Sequence, residues 1–133
     1  MAFLLDTNIC IHLRRANPRV QERFVKRSGE AIRSVVTYGE LLYGVEKSTW
    51  PNALERLNLV LSLMRVEPLP LAAAEQYGRI RNELGKRGQL VGSNDLWIAA
   101  HALAGDYTLV TDNEREFSRI DGLRYENWVR DAL

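Results

Sequence analysis

Ala2-Phe3-Leu4-Leu5-Asp6-Thr7-Asn8 is the stretch whose reading decides the fold. A short, unbroken apolar run is expected of a strand covered on both faces, and parallel sheets contain such strands. Here the run ends directly on a carboxylate. Thr108-Leu109-Val110-Thr111-Asp112 repeats the arrangement near the other end of the chain. Two buried strands that each end on an acid predict an acidic pocket at one edge of the sheet.

Between them, hydrophobic periodicity alternates between strand and helix. Thr7 or Asn8 is expected to cap a helix to about Arg15, and Pro18 to open a second to about Arg27, ended by Ser28-Gly29. Ala31 to Val36 reads as a strand, followed by a helix capped by Thr37 and carrying Tyr38, Leu41, Leu42 and Val45. Pro51 opens a helix whose Leu54, Leu57, Leu61 and Met64 form a core-facing stripe. Val66 to Leu69, hemmed by Pro68 and Pro70, suits an edge strand. Ala73, Tyr77, Ile80 and Leu84 mark another helix, ending at Gly85 or Gly88, and Ser93 caps the next, to about Ala104. Thr108 to Thr111 and Leu123 to Glu126 close the chain as strands. Alternation of this kind predicts an α/β fold, a three-layer α/β/α sandwich around a mainly parallel sheet, with residues 1–133 as one domain.

Composition narrows the class. The chain has 133 residues, enough for one domain with a real core, and its 46% hydrophobic and 26% charged residues are those of an ordinary globular protein. The net charge of +1 does not argue for or against a polyanionic partner. Cys10 is the single cysteine, which excludes an internal disulfide and a Cys-rich zinc site; within Ile9-Cys10-Ile11 it reads as core. No apolar run approaches the roughly 20 residues of a membrane helix, and the N-terminus does not resemble a signal peptide. A cytoplasmic protein is the expectation.

In parallel sheets, ligands bind beyond the carboxyl ends of the strands. Asp6 and Asp112 fall there; Glu40 follows the second strand, and Asp95 lies in the first turn of a helix. Asp6 and Asp95 each have structural explanations as helix-terminal acids, but Thr7 and Asn8, or Ser93 and Asn94, offer capping oxygens of their own. Glu40 lies on an otherwise apolar helix beside Leu41 and Leu42. Asp112 is also compatible with an ordinary polar turn, Thr111-Asp112-Asn113-Glu114. Oxygen ligands of this kind suit Mg²⁺ or Mn²⁺, and crowded carboxylates repel unless a cation intervenes.

The motifs Leu4-Leu5-Asp6-Thr7-Asn8, Gly39-Glu40-Leu41-Leu42-Tyr43-Gly44, Val91-Gly92-Ser93-Asn94-Asp95-Leu96-Trp97-Ile98-Ala99-Ala100-His101-Ala102 and Leu109-Val110-Thr111-Asp112-Asn113-Glu114-Arg115-Glu116-Phe117 are similar to those of PIN-domain ribonucleases, taken in the same order over nearly the whole chain. Within that superfamily the chain resembles the VapC toxins of type II toxin–antitoxin modules. The resemblance implies an endoribonuclease whose acidic pocket binds Mg²⁺ or Mn²⁺. It assigns Asp6, Glu40 and Asp95 as the first three acids, with Asp112 or Asn113 at the fourth position and Thr111 and Asn8 in support. It further implies a VapB antitoxin, a homodimer within a toxin–antitoxin hetero-oligomer, promoter DNA bound only through the antitoxin, and transfer RNA as the leading substrate. A metal-activated water would attack the phosphodiester.

Arg19, Arg23 and Arg27 recur along one helix face, and Lys86 and Arg87 precede the Asp95 helix; both groups are candidates for phosphate contacts, or else solvated faces. Trp50, Trp97 and Trp128 are conceivable base-stacking residues, with Trp97 read as core or interface, while His12 and His101 do not suggest zinc. Two readings compete. A haloacid-dehalogenase-like phosphatase would need Asp-x-Asp where Asp6-Thr7-Asn8 stands, and a receiver domain would need further acids. A degenerate PIN module would bind RNA or partners without cutting.

Overall fold

Alternation along a single strand sorts the core into two layers. A computed structural model describes residues 2–27 and 29–130, and at its centre β1 (Phe3–Leu5) is fully buried. Successive side chains of a strand point to opposite faces. Leu4 joins one cluster with Ile80, Leu84, Ile98 and Phe117, while Phe3 and Leu5 join another with Ile9, Val20, Phe24, Leu57 and Leu61. Helices therefore cover both faces, and the three-layer α/β/α arrangement follows.

The element order is β1, α1 (Thr7–Arg14), α2 (Pro18–Lys26), β2 (Ala31–Ser34), α3 (Val35–Lys47), α4 (Ala53–Leu61), β3 (Arg65–Glu67), α5 (Leu71–Lys86), α6 (Ser93–Gly105), β4 (Thr108–Val110), α7 (Glu114–Phe117) and β5 (Tyr125–Glu126). The sheet order is β3-β2-β1-β4-β5, and every pairing among these strands is parallel. Leu4 pairs with Ile32 on one side and Leu109 on the other, so the ends of β1, β2 and β4 lie side by side. As expected from its flanking prolines, β3 is an edge strand.

Several boundaries differ from the sequence reading, for local reasons. Asp6 itself caps α1, accepting a 2.8 Å hydrogen bond from the Thr7 amide, in place of Thr7 or Asn8. Ser34, not Thr37, caps α3 by accepting from the Val36 amide at 3.1 Å, so the β-branched pair Val35-Val36 is helical. Tertiary capping overrides strand propensity there. Gly92 precedes α6, with no side-chain cap from Ser93. On α4, Leu57 and Leu61 are buried but Leu54, in the first turn, is largely exposed. The helix end expected at Ser28 lies outside the described residues; the neighbouring Gly29 takes a positive φ of 88°. Cys10 is core, and burial pushes its thiol up to about 12.

Ser34 also links layers. Its Oγ lies 2.9 Å from Nδ1 of the buried His101 on α6, whose Nε2 faces Glu67 of β3 at 3.6 Å. The Tyr107 hydroxyl donates to the same Glu67 carboxylate at 2.7–2.8 Å. Ser34→Ala removes a cap and leaves a buried ring nitrogen unpaired, so it should cost about 2 kcal/mol in denaturant unfolding. A loss below about 0.5 kcal/mol, the range of ordinary surface changes, would contradict this role.

Candidate active site

The first acid is fixed by the strands. The Asp6 amide donates to the Val110 carbonyl at 2.9 Å, which sets the end of β1 against the end of β4. Only 4% of Asp6 is exposed. Its Oδ1 accepts from the Thr7 amide and its Oδ2 from the Thr111 hydroxyl, both at 2.8 Å. The other acids arrive on helices: Glu40 on α3, which Ser34 starts at the end of β2, and Asp95 in the first turn of α6. The Thr7 hydroxyl donates to Glu40 Oε1 at 2.6 Å, linking the first two acids through one residue.

These three acids share an electrostatic environment with a fourth, Glu116 on α7. Burial raises Asp6 to about 6 against the opposing pull of its hydrogen bonds from Thr111 and Thr7, with the charges of Glu40 and Glu116 adding to the rise. Burial also raises Asp95, to about 7, helped by a hydrogen bond with Glu116 and by the charges of Asp6, Glu116 and Glu40.

Asp112 faces elsewhere. Its carboxylate accepts from Asn127 Nδ2 at 3.0 Å and lies 3.8 Å from both His12 Nε2 and Arg130 Nε, while its amide donates to Asn8 Oδ1 at 3.2 Å. The cause is the direction of the chain after β4: Thr111 points inward to Asp6, and the next residue points away. Asn113 caps Thr111 in turn, its amide donating to Thr111 Oγ1 at 2.9 Å and its Nδ2 to Glu116 Oε2 at 3.0 Å. Asn113 thus orients Glu116. Glu116 lies inside the motif that ends at Phe117 but is not among the acids expected from the sequence, where Asp112 or Asn113 held the fourth position. The Asn113-to-Glu116 spacing is the available signal, since an N-cap followed three residues later by Glu marks a helix start.

Neither basic group meets the acids. Arg19, Arg23 and Arg27 line a hollow of about 370 Å³ with Glu126 and Trp128, and the Arg27 guanidinium stacks over Phe3, at the opposite end of β1 from Asp6. Arg87 is held by the Arg119 carbonyl at 2.6 Å and by Asp121 at 3.4 Å; Lys86 is exposed at the end of α5. Trp97 stacks on Tyr77 at 4.0 Å between α6 and α5, as its apolar neighbours suggested, and Trp128 is buried against Phe3.

Among the described residues, no three His, Cys, Asp or Glu side chains stand ready grouped to hold a metal ion. The chemistry of the acid set nevertheless fits a hard divalent cation: oxygen donors only, two of them held above the usual carboxylate range by burial and by the charges of neighbouring acids.

The sign of the pH effect follows. Asp6 and Asp95 retain protons in the folded chain that the unfolded chain releases near 3.8. Their stabilising contribution is complete below about 3.8 and is lost as pH rises through about 6 to 7. In thermal melts of chelator-treated protein, Asp95→Asn should therefore be more stable than the parent at pH 8, with the advantage shrinking steadily towards pH 4. A pH-independent difference would contradict the crowding.

With this geometry in hand, the likeness to known proteins is specific. The PIN domain family matches residues 3–123. The chain is 43% identical to the tRNA(fMet)-specific endonuclease VapC of Shigella flexneri, over 96% of this chain and 98% of that protein. It is 39% identical to Ribonuclease VapC2 of Haemophilus influenzae, over 97% and 99%. The crystal structure of VapBC2 from Rickettsia felis bound to a promoter DNA fragment superposes with a TM-score of 0.92 at 34% identity, covering 96% of this chain and 99% of that one. The chain belongs to the PIN domain family and, within it, to the VapC ribonucleases of toxin–antitoxin modules.

Proposed function

We propose that this chain is a toxin endoribonuclease that requires Mg²⁺ or Mn²⁺, with Asp6, Glu40, Asp95 and Glu116 as the acids that hold the cation. The observation that carries the reading is the elevation of Asp6 and Asp95 by burial, with the charges of Glu40 and Glu116 adding to both, in a pocket of oxygen donors. When bound, the cation would neutralise a phosphate oxygen and acidify an attacking water. The residues themselves supply orientation. Thr111 and the Thr7 amide fix both oxygens of Asp6, the Thr7 hydroxyl fixes Glu40, and Asn113 fixes Glu116. Transfer RNA is the proposed substrate, supported by the tRNA(fMet) specificity in the name of the Shigella relative. A VapB-type antitoxin is the proposed partner, supported by the VapBC2 complex of Rickettsia felis, with a homodimer in a larger complex that contacts promoter DNA through the antitoxin. No helix among the described residues is long and apolar enough to cross a membrane, and we place the protein in the cytoplasm.

The degenerate reading predicts binding without cleavage. In an assay on total transfer RNA with Mn²⁺, Asp6→Asn, Asp95→Asn and Glu116→Gln should each lose on the order of 10²-fold or more in rate. Thr111→Val, which removes a hydrogen bond that orients Asp6, should lose about 10–100-fold. Asp112→Asn should keep most of the rate. Full cleavage in excess chelator, or by Asp95→Asn, would end this mechanism.

A further inference from the structure

Two aromatic side chains stay in solvent where the fold gives them nothing to cover. Trp50 is 68% exposed and Tyr43 64%, whereas Trp128 is buried and Trp97 is stacked on Tyr77. Each carries a cation: the Arg56 guanidinium lies 5.4 Å from the Trp50 ring centroid, and the Lys47 ammonium 4.9 Å from that of Tyr43. Both rings line one groove of about 620 Å³, with Arg14 and Arg15 of α1 also in its walls. Glu40 is the single acid of that lining. Glu40 and Tyr43 also line an adjoining hollow of about 610 Å³ that contains Thr7 and Asn94, the residues next to Asp6 and Asp95. The two spaces share Glu40 and Tyr43 in their walls, which suits one path from the acids past Tyr43 to Trp50.

We infer that this path holds a single-stranded segment of the RNA substrate, with bases stacked on Tyr43 and Trp50 and phosphates met by Arg14, Arg15, Lys47 and Arg56. The assignment rests on the acid pocket being an RNA-cleaving centre, and it names residues that set where the strand lies. Open aromatic faces accept any base, and a cationic groove follows the phosphate backbone; together they are the means by which proteins hold single strands. A helical protein segment would seek a continuous apolar wall instead. That description fits the separate groove of Leu13, Phe24, Val25 and Leu63 better than one lined by four cations. Trp50 and Tyr43 thus bind and position the strand, outside the acid set.

The test uses the full chain carrying Asp95→Asn, so that RNA is bound and not cut, and a labelled single-stranded RNA of about ten nucleotides. Saturation should quench tryptophan fluorescence. Trp50→Ala should raise Kd about tenfold and abolish most of the quenching, and Trp50→Phe should restore most of the affinity. Arg14→Ala with Arg15→Ala should weaken binding and flatten its salt dependence. Tight binding without quenching, or with Kd unchanged in Trp50→Ala, would overturn the assignment. So would a Trp50→Ala variant that binds RNA normally but loses a purified antitoxin, since the groove would then belong to a protein. Cleavage by the chain with Asp95 intact separates the two readings. Cleavage with Trp50-independent binding removes the groove alone, and Trp50-dependent binding without cleavage removes the catalytic reading alone.

Discussion

Asp6 is a charged side chain placed where the core should be apolar, and the rest of the site is arranged around that fact. It sits at the end of the central strand with Leu5 before it and the end of β4 beside it. Its two oxygens are held by the Thr7 amide and the Thr111 hydroxyl. Those bonds favour the ionised form, but burial wins and the group stays above the ordinary carboxylate range. Bringing Glu40, Asp95 and Glu116 towards it adds repulsion, which a structure tolerates only when a function or a cation compensates. The cost falls on stability, and the proposed cation would relieve it at the same place.

The two-layer core makes this crowding possible. Leu4 anchors the α5–α6 side while Phe3 and Leu5 anchor the α1–α4 side, so the strand end is clamped from both faces. The Ser34–His101 contact then ties the helix that carries Glu40 to the helix that carries Asp95. Four acids on four different elements are thereby fixed by packing and capping, not by one flexible loop. The same arrangement leaves the outer edge of α3 and the start of α4 uncovered, where Tyr43 and Trp50 stand exposed beside their cations.

Much of this was legible in the chain. Apolar runs bounded by acids gave β1 and β4, and helical periodicity gave α5 and the buried face of α4, because both signals report burial directly. Asp6, Glu40 and Asp95 could be singled out since each abuts a segment that must be buried. What escaped depends on direction, which sequence does not carry. Whether Asp112 or Glu116 turns towards Asp6 is decided by Thr111 pointing inward and by the short α7, whose four residues have weak periodicity. The caps were misplaced for a similar reason: Asp6 and Ser34 were read as strand or functional residues, and they serve as caps as well. The basic stripe of α2 was visible, but the distance between its Arg27 end and Asp6 was not.

The proposed cation site joins four acids, with Glu116 and without Asp112. Titration of Mn²⁺ followed by electron paramagnetic resonance tests it most directly, on the parent chain and on Asp6→Asn, Glu116→Gln and Asp112→Asn. Saturable binding should be lost in Asp6→Asn, strongly weakened in Glu116→Gln and retained in Asp112→Asn. Binding that survives Glu116→Gln and disappears in Asp112→Asn would contradict this site.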